Sequence, residues 1–330
     1  MNSATNMTAD VPHYLKLLND YRGFVGWGKV GQLLFSILAG KAGLKPGGFS
    51  ARAMQRWKFF QTLAQERSVK VLVIGDQEFR VAYRESLPDA GQVEVALRVP
   101  FCDSSDAQVF EQIFIRKEYL QVLEWFSTIL PGEKITTIMD VGANIGCTAL
   151  FLSARFPAAD VFCLEPEASN FARLQLNLKL NVHEKIRCFR SALFTQPGKL
   201  KLSREFRDGK EWGSRFVEDQ PSENDVENSQ QVDAIEIWEL FEKTGFDKVD
   251  LLKMDIEGAE AGLLRDPRFK MFLKDKVRRI AVEVHEEFIK TDEAIDVLKS
   301  LNFETHVVTE FVCGIKPSAG TSSLGSALKE

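Results

Sequence analysis

The rhythm of apolar positions changes near residue 135. From there on, short apolar runs alternate with glycine turns and amphipathic stretches. Strands are predicted over residues 135–141, 161–164, 186–192, 249–254 and 279–284, and helices over 147–155, 167–180, 259–272 and 292–301. Runs at 303–308 and 311–315 read as a closing hairpin. Strands alternating with helices of this length imply a parallel sheet covered on both faces. Upstream the texture differs. Residues 1–66 hold helix-like stretches rich in Phe, Leu and Trp, broken by Gly and by Lys45-Pro46-Gly47-Gly48. Residues 67–130 open with β runs at 71–74 and 79–83 around a Gly75-Asp76 turn and add a third at 93–99. A helical pattern then spans 107–128. The organisation expected is a helical extension (1–66), a hairpin-and-helix lead (67–130), an α/β domain (131–316) and a flexible tail (317–330). Within the domain, residues 204–231 are polar and acidic. They suit a lid or, as the more frequent case, a solvated insertion.

Composition narrows the class. With 45% hydrophobic residues and 25 Phe in 330, the chain has ample material for a core, which excludes a disordered or fibrous protein. Lys plus Arg number 42 against 47 Asp plus Glu, a net charge of -5, so the footprint of a general nucleic-acid binder is missing. Cysteines at 102, 147, 163, 188 and 313 form no CxxC and are odd in number. Neither a disulfide framework nor a structural zinc site is expected, and a reducing compartment fits better. The polar first residues match neither a signal nor a transit peptide. The most apolar stretch, 23–44, carries Lys29, Gln32, Lys41 and several glycines and is a poor transmembrane candidate. A soluble, cytoplasmic protein is therefore expected.

The chemistry concentrates at the ends of the predicted strands. The first strand runs through Asp140 into a glycine turn, Gly142-Ala143-Asn144-Ile145-Gly146, that opens a helix. Ligands of open parallel sheets bind beside such turns. A dinucleotide site wants a glycine at the second position of the turn for close approach to a pyrophosphate, and Asn144 stands there instead. Asp140 would also repel a pyrophosphate. A cationic ligand without phosphates, such as S-adenosylmethionine, fits better, with Asp140 facing its ammonium or sulfonium; an ordinary strand-to-helix turn capped by Asp140 is the bland alternative. Glu165 ends the second strand, where a carboxylate can accept from both ribose hydroxyls of an adenosine ligand; a solvated carboxylate is its alternative. Ser191 and Ala192, at the end of the third strand, are candidates to meet the adenine.

Further along, Asp255 and Glu257 share a side if the backbone is extended, and Glu257 and Glu260 share a helix face. Asp255 is the candidate to face the transferred methyl group, while Glu257 and Glu260 equally suit a helix start. His285, past the end of the strand at 279–284, is either a catalytic base, a role Asp255 could equally take, or a satisfied structural histidine. A divalent metal on Asp255 and neighbouring carboxylates is a further way to polarise an acceptor.

Four segments in this order and spacing carry a resemblance: DVGANIG (140–146), LEPEASNF (164–171), DLLKMDIEGAE (250–260) and VEVHEEF (282–288). Together they are similar to the FkbM family of S-adenosylmethionine-dependent methyltransferases, over about residues 90–315. The resemblance implies the class I methyltransferase fold, a Rossmann-like sheet of seven mostly parallel strands with an antiparallel last hairpin. It implies O-methylation of a small-molecule or glycan hydroxyl, on a saccharide, glycolipid or secondary metabolite. By position it implies that Asp140, Gly142, Asn144 and Gly146 hold the methionine part, Glu165 the ribose, and residues 255–260 the active-site edge. It says nothing about residues 1–66. A binding protein on a methyltransferase fold and a nicotinamide-dependent oxidoreductase stay open as alternatives. For the apolar stretch 23–44, packing on its own domain or on a second subunit, as a homo-oligomer contact, is favoured over an interfacial membrane helix, because two lysines are few for a lipid surface.

Overall fold

The computed structural model describes residues 11–41, 48–87, 91–100, 105–181, 184–203, 215–218 and 230–317. The chain divides into two compact units, residues 1–110 and 111–330. The expected tail from 318 onward, and Asp219, Glu223, Asp225 and Glu227 of the acidic insertion, lie outside the described residues.

The first unit joins a helix pair to a small sheet. Helix α1 (Val11–Lys41) and helix α2 (Gly48–Gln65) pack through aromatic residues, with Tyr21 at 5.1 Å from Trp57 and 5.2 Å from Phe60, ring centre to ring centre. At Gly26 α1 leaves helical geometry (φ 74°, ψ 170°), a conformation open to a residue without Cβ. Strands β1 (Val69–Ile74), β2 (Glu78–Leu87) and β3 (Gly91–Pro100) form an antiparallel meander in chain order. They are longer than their apolar runs, because pairing carries on into the polar residues that flank them. Alternate residues Phe79, Val81 and Tyr83 on β2, and Val95, Leu97 and Val99 on β3, turn into the core, as the two-residue period of a strand demands. The short helix α3 (Asp106–Phe110) closes this unit.

The single helix expected over 107–128 is in fact broken. After α3 come a π-type turn at Glu111–Ile115 and helix α4 (Glu118–Ile129), with Lys117 between them in the left-handed region at φ 55°. A left-handed residue ends one helical run and lets another start at a new angle, which a count of apolar positions does not register.

The second unit is built on a sheet of β4 (Thr137–Val141), β5 (Asp160–Leu164), β6 (Ile186–Phe189), β11 (Leu251–Met254), β12 (Arg279–Glu283), β13 (Glu304–Val308) and β14 (Phe311–Ile315). Their spatial order is β13-β14-β12-β11-β4-β5-β6; all pairs are parallel except those made by β14. This is the class I methyltransferase sheet. Helices α5 (Cys147–Arg155), α6 (Ala168–Asn181) and α10 (Thr291–Ser300) are crossovers of the expected length. The central strands β4 and β11 are buried along nearly their whole length, so they read as continuous apolar runs rather than alternations.

Two expectations are corrected here. The strand predicted over 186–192 stops at Phe189, and β7 (Ala192–Leu193) belongs to a second sheet, ordered β7-β10-β8-β9, with β8 (Gly198–Ser203), β9 (Arg215–Glu218) and β10 (Gln230–Ile235). Parts of the polar insertion are thus paired strands, whose ladder bonds compensate for weak apolar patterning. The helix predicted over 259–272 is two helices, α8 (Glu260–Arg265) and α9 (Pro267–Lys276). Pro267 cannot donate to a preceding turn and starts α9 instead; Asp266 caps it, its carboxylate accepting from the Phe269 N–H at 2.8 Å. Helix α7 (Ile237–Thr244), also unpredicted, is capped by Glu236 and packs in the main core with Leu240 and Phe241.

Candidate active site

The carboxyl ends of β4, β5, β11 and β12 gather most of the singled-out residues. The turn after β4 comes first. Gly142 (φ 82°) and Ala143 both donate their N–H to the Leu164 carbonyl at 2.9 Å, tying the turn to the end of β5. A Cβ on Gly142 would stand 1.8 Å from the Asp255 carbonyl oxygen, so the turn and the end of β11 touch backbone to backbone. Asn144 takes φ 50°, and its Oδ1 accepts from the Ile145 N–H at 2.7 Å. Asparagine tolerates this region because its short side chain bonds locally. Gly146 (φ 89°) opens α5, where a Cβ would press to 2.6 Å from Leu174. From α6, the buried Asn177 donates its Nδ2 to the Ile145 carbonyl at 2.9 Å and locks the turn from behind.

Glu165 is buried beside this turn. Its Oε2 accepts from the Asn144 N–H at 2.8 Å and its Oε1 from the Glu167 N–H at 2.9 Å. Burial disfavours the charged carboxylate and pushes its pKa up to about 7, against the pull of those two donors. One carboxylate therefore bridges the glycine turn and the start of α6.

Parallel register builds the next contact. Lys253 on β11 is the direct partner of Asp140 on β4, so both side chains leave the sheet on one face. Lys253 Nζ lies 3.2 Å from Asp140 Oδ1 and 3.8 Å from Asp255 Oδ2, and it donates to the Gly142 carbonyl. Burial works against the ammonium, but Asp140 and Asp255 outweigh it and raise Lys253 to about 12. Asp140 is 0% exposed. Burial raises its pKa too, with Lys253 opposing. Asp140 therefore faces a lysine of its own chain rather than the outer surface of the turn.

A second cation stands nearby. His285, 4% exposed, has Nδ1 at 3.3 Å from Glu260 Oε1 and Nε2 at 3.3 Å from Glu257 Oε2. Desolvation alone would lower it, but the Glu257 and Glu260 carboxylates prevail and push it up to about 11. Glu260, fully buried, also accepts from the N–H groups of Ile256 and Gly258, both at 2.7 Å. The extended backbone assumed for 255–257 gives way here to a tight turn, with Glu257 at φ 55° and Gly258 at φ 99°. A Cβ on Gly258 would strike the Phe288 ring at 2.4 Å. The turn nevertheless draws one ligand atom each of Asp255, Glu257 and His285 within 4.8 Å of one another, the one such trio that could hold a metal ion among the described residues.

Ser191 and Ala192 are placed differently. The Ser191 hydroxyl donates to the Asp233 carbonyl at 2.7 Å, and Ala192 pairs with Ala234 in the second sheet. Both are buried in that sheet's attachment. Three participants went unmarked in the sequence. Lys253 was visible as a lone charge inside an apolar strand, LLKM. Tyr119, from α4, is buried with its hydroxyl bonded to Thr148; burial first, then the nearby charges of Asp255, Glu283 and Asp140, push its pKa well up. Glu283, at the end of β12, is likewise held well above the carboxylate range by burial and by Asp255.

Known proteins place this geometry in context. Residues 140–305 match the methyltransferase FkbM domain, half of the chain. The 2-O-methyltransferase NoeI of Sinorhizobium fredii is 29% identical over 139 residues, covering 38% of this chain and 55% of that protein. Methyltransferase 1 of Beauveria bassiana is 25% identical over 170 residues, covering 48% and 65%. AMB antimetabolite synthetase AmbE of Pseudomonas aeruginosa is 26% identical over 239 residues, 60% of this chain but 11% of the synthetase. The chain thus spans less than two thirds of each of these relatives. The crystal structure of an FkbM methyltransferase from Methylobacillus flagellatus superimposes with a TM-score of 0.39 at 14% identity, covering 59% of this chain and 47% of that one.

Proposed function

The chain belongs to the FkbM methyltransferase family, and from that premise we propose that it moves the methyl group of S-adenosylmethionine onto a hydroxyl of a saccharide, glycolipid or secondary metabolite. The observation that carries the reading is the meeting of the glycine turn, Glu165 and Asp255 at one sheet edge. The 2-O-methyltransferase named among the relatives supports oxygen as the acceptor atom.

In this reading the turn at 142–146 and Glu165 receive the cofactor, with the Glu165 carboxylate accepting from the ribose hydroxyls. Asp140 has no exposed surface, so its part is to hold Lys253, which in turn fixes the Gly142 carbonyl and Asp255. The acceptor oxygen attacks the methyl carbon in line as the carbon–sulfur bond breaks, and S-adenosylhomocysteine leaves. Sulfonium is a good leaving group, so alignment supplies much of the acceleration. The hydroxyl proton still needs a destination. Both His285 nitrogens face carboxylates at 3.3 Å, which favours the protonated imidazole and supports Asp255 rather than His285 as the base. Asp255, its side chain 29% exposed, is the most open carboxylate of the cluster and takes the proton. His285 then acts as a positioning residue that keeps Glu257 and Glu260 in place.

A second reading comes from the Asp255, Glu257 and His285 trio. A divalent ion there would lower the acceptor's pKa directly. Methyl transfer from labelled S-adenosylmethionine to a panel of glycans and hydroxylated metabolites, with and without chelator, tests both. Transfer that survives chelator supports Asp255 as base, and loss restored by added divalent ion supports the metal. Label found only on nitrogen or carbon would sink O-methylation.

A further inference from the structure

The reaction at the sheet edge makes no use of an uncovered apolar strip in the first unit. One side of α1 is taken up in packing, with Leu17, Tyr21, Val30 and Leu33 buried. The other side is open. Trp27 is 71% exposed and Phe35 and Leu38 are 66% exposed, with Leu34 beside them. Past the break at Gly26, the exposed positions are 27, 28, 31, 34, 35 and 38, a helical spacing, and none is charged. Monomeric proteins seldom leave a contiguous strip of this kind without a use for it.

Charge identifies the occupant. Residues 1–66 hold eight Lys or Arg and three Asp or Glu, a net of +5; the remaining chain holds 34 basic and 44 acidic residues, a net of -10. In a protein that is acidic as a whole, the apolar strip thus lies in a segment of net positive charge. Arg22 sits over the Trp27 ring at 4.9 Å, and Lys16 on α1 and Lys58 on α2 are exposed. Lys29 is paired with Asp76 and Arg56 is buried beside the same carboxylate, so among the described residues the positive charge offered to a surface comes chiefly from Lys16 and Arg22 on α1 and from Lys58 on α2. A second copy would bring two +5 segments together, which like-charge repulsion opposes. No helix among the described residues is long and apolar enough to cross a membrane, so the strip suits lying on a bilayer rather than spanning it.

We propose that α1 docks flat on an anionic phospholipid surface, with Trp27, Leu34, Phe35 and Leu38 in the interface and Arg22, beside Trp27, with the exposed basic side chains of α1 and α2 among the headgroups. The inference does not depend on the acceptor, although a lipid-linked acceptor would be met at that surface. The test is sedimentation of the full-length protein with vesicles of phosphatidylcholine alone or mixed with phosphatidylglycerol. The expected result is binding to the mixed vesicles, weakened by salt, and reduced about tenfold or more in a Trp27→Ala, Phe35→Glu double variant, since both lost anchors and added charge oppose insertion. Calorimetric binding of S-adenosylmethionine by that variant should match the parent, which shows the fold intact. Equal binding to neutral vesicles would overturn the role of charge. No binding to either vesicle would overturn the proposal, and a dimer in light scattering that the same variant dissociates would assign the strip to a second copy instead.

Discussion

Two buried cations organise the same sheet edge, and they are held by different means. Lys253 sits inside a strand, opposite Asp140 in parallel register, and its position follows from the hydrogen-bond ladder itself. His285 lies beyond the end of β12, and its partners Glu257 and Glu260 come from a left-handed turn rather than a ladder. The first arrangement is part of the frame. The second is a loop assembly held by side chains, and it stands where the acceptor is proposed to react. One sheet edge thus fixes one buried charge through strand register and the other through a turn whose side chains hold it.

The sharpest way to break the frame is at Gly142. A methyl group there meets the Asp255 carbonyl oxygen at 1.8 Å, with φ at 82°. Gly142→Ala should cost roughly 4–5 kcal/mol or more in denaturant unfolding and abolish cofactor binding in calorimetry. Near-parental stability would mean that the two backbones do not touch.

Next comes Lys253→Met, which strands the buried Asp140 charge and should cost about 3–5 kcal/mol. Adding Asp140→Asn should restore most of it, since the pair is then removed together. His285→Gln should cost less, about 1–3 kcal/mol, because Glu260 keeps its two backbone donors. If His285→Gln proved the more damaging of the two, the contrast between frame and loop would be reversed.

Asp255→Asn addresses the acceptor side alone. Turnover should fall by about 10²–10⁴ while affinity for S-adenosylmethionine stays near the parental value, the signature of a lost proton acceptor. An equal loss in both would move Asp255 to the cofactor side.

The mildest effect is expected from pH. Burial raises Glu165 from its ordinary 4.5 to about 7. A carboxylic acid accepts from ribose hydroxyls less well than a carboxylate, so cofactor affinity should weaken as pH falls below 7, by at most about tenfold per unit. Folding carries the opposite sign. The folded pKa lies above the unfolded one, so the contribution of Glu165 is fully present below 4.5 and is lost as pH rises through 7. Calorimetry and thermal unfolding between pH 5 and 8 would show the two trends diverging, and a pH-independent affinity would remove Glu165 from the ribose.

Much of this architecture was legible before any coordinates. Buried parallel strands announce themselves as apolar runs ending in glycine turns, and the order of DVGANIG, LEPEASNF and DLLKMDIEGAE along the chain was enough to expect Gly142, Glu165 and Asp255 at one edge. The second sheet was not legible, since β8 to β10 rest on ladder bonds more than on apolar alternation. The break at Pro267 has a local signal, a proline after a capping aspartate, but apolar positions continue on both sides of it across 259–272.

What the sequence determined by itself is the set of local conformations: which runs extend, which turns need glycine, and which residue types reach the strand ends. Partners were decided only in three dimensions. Asp140 looked outward in one dimension and faces Lys253 in three, because the residue opposite it comes from a strand more than a hundred positions away. His285 was open between a base and a structural histidine, and its surroundings come from a left-handed turn that delivers Glu257 and Glu260 to its two nitrogens. A charge's role depends on the field around it, and long-range register and turns set that field.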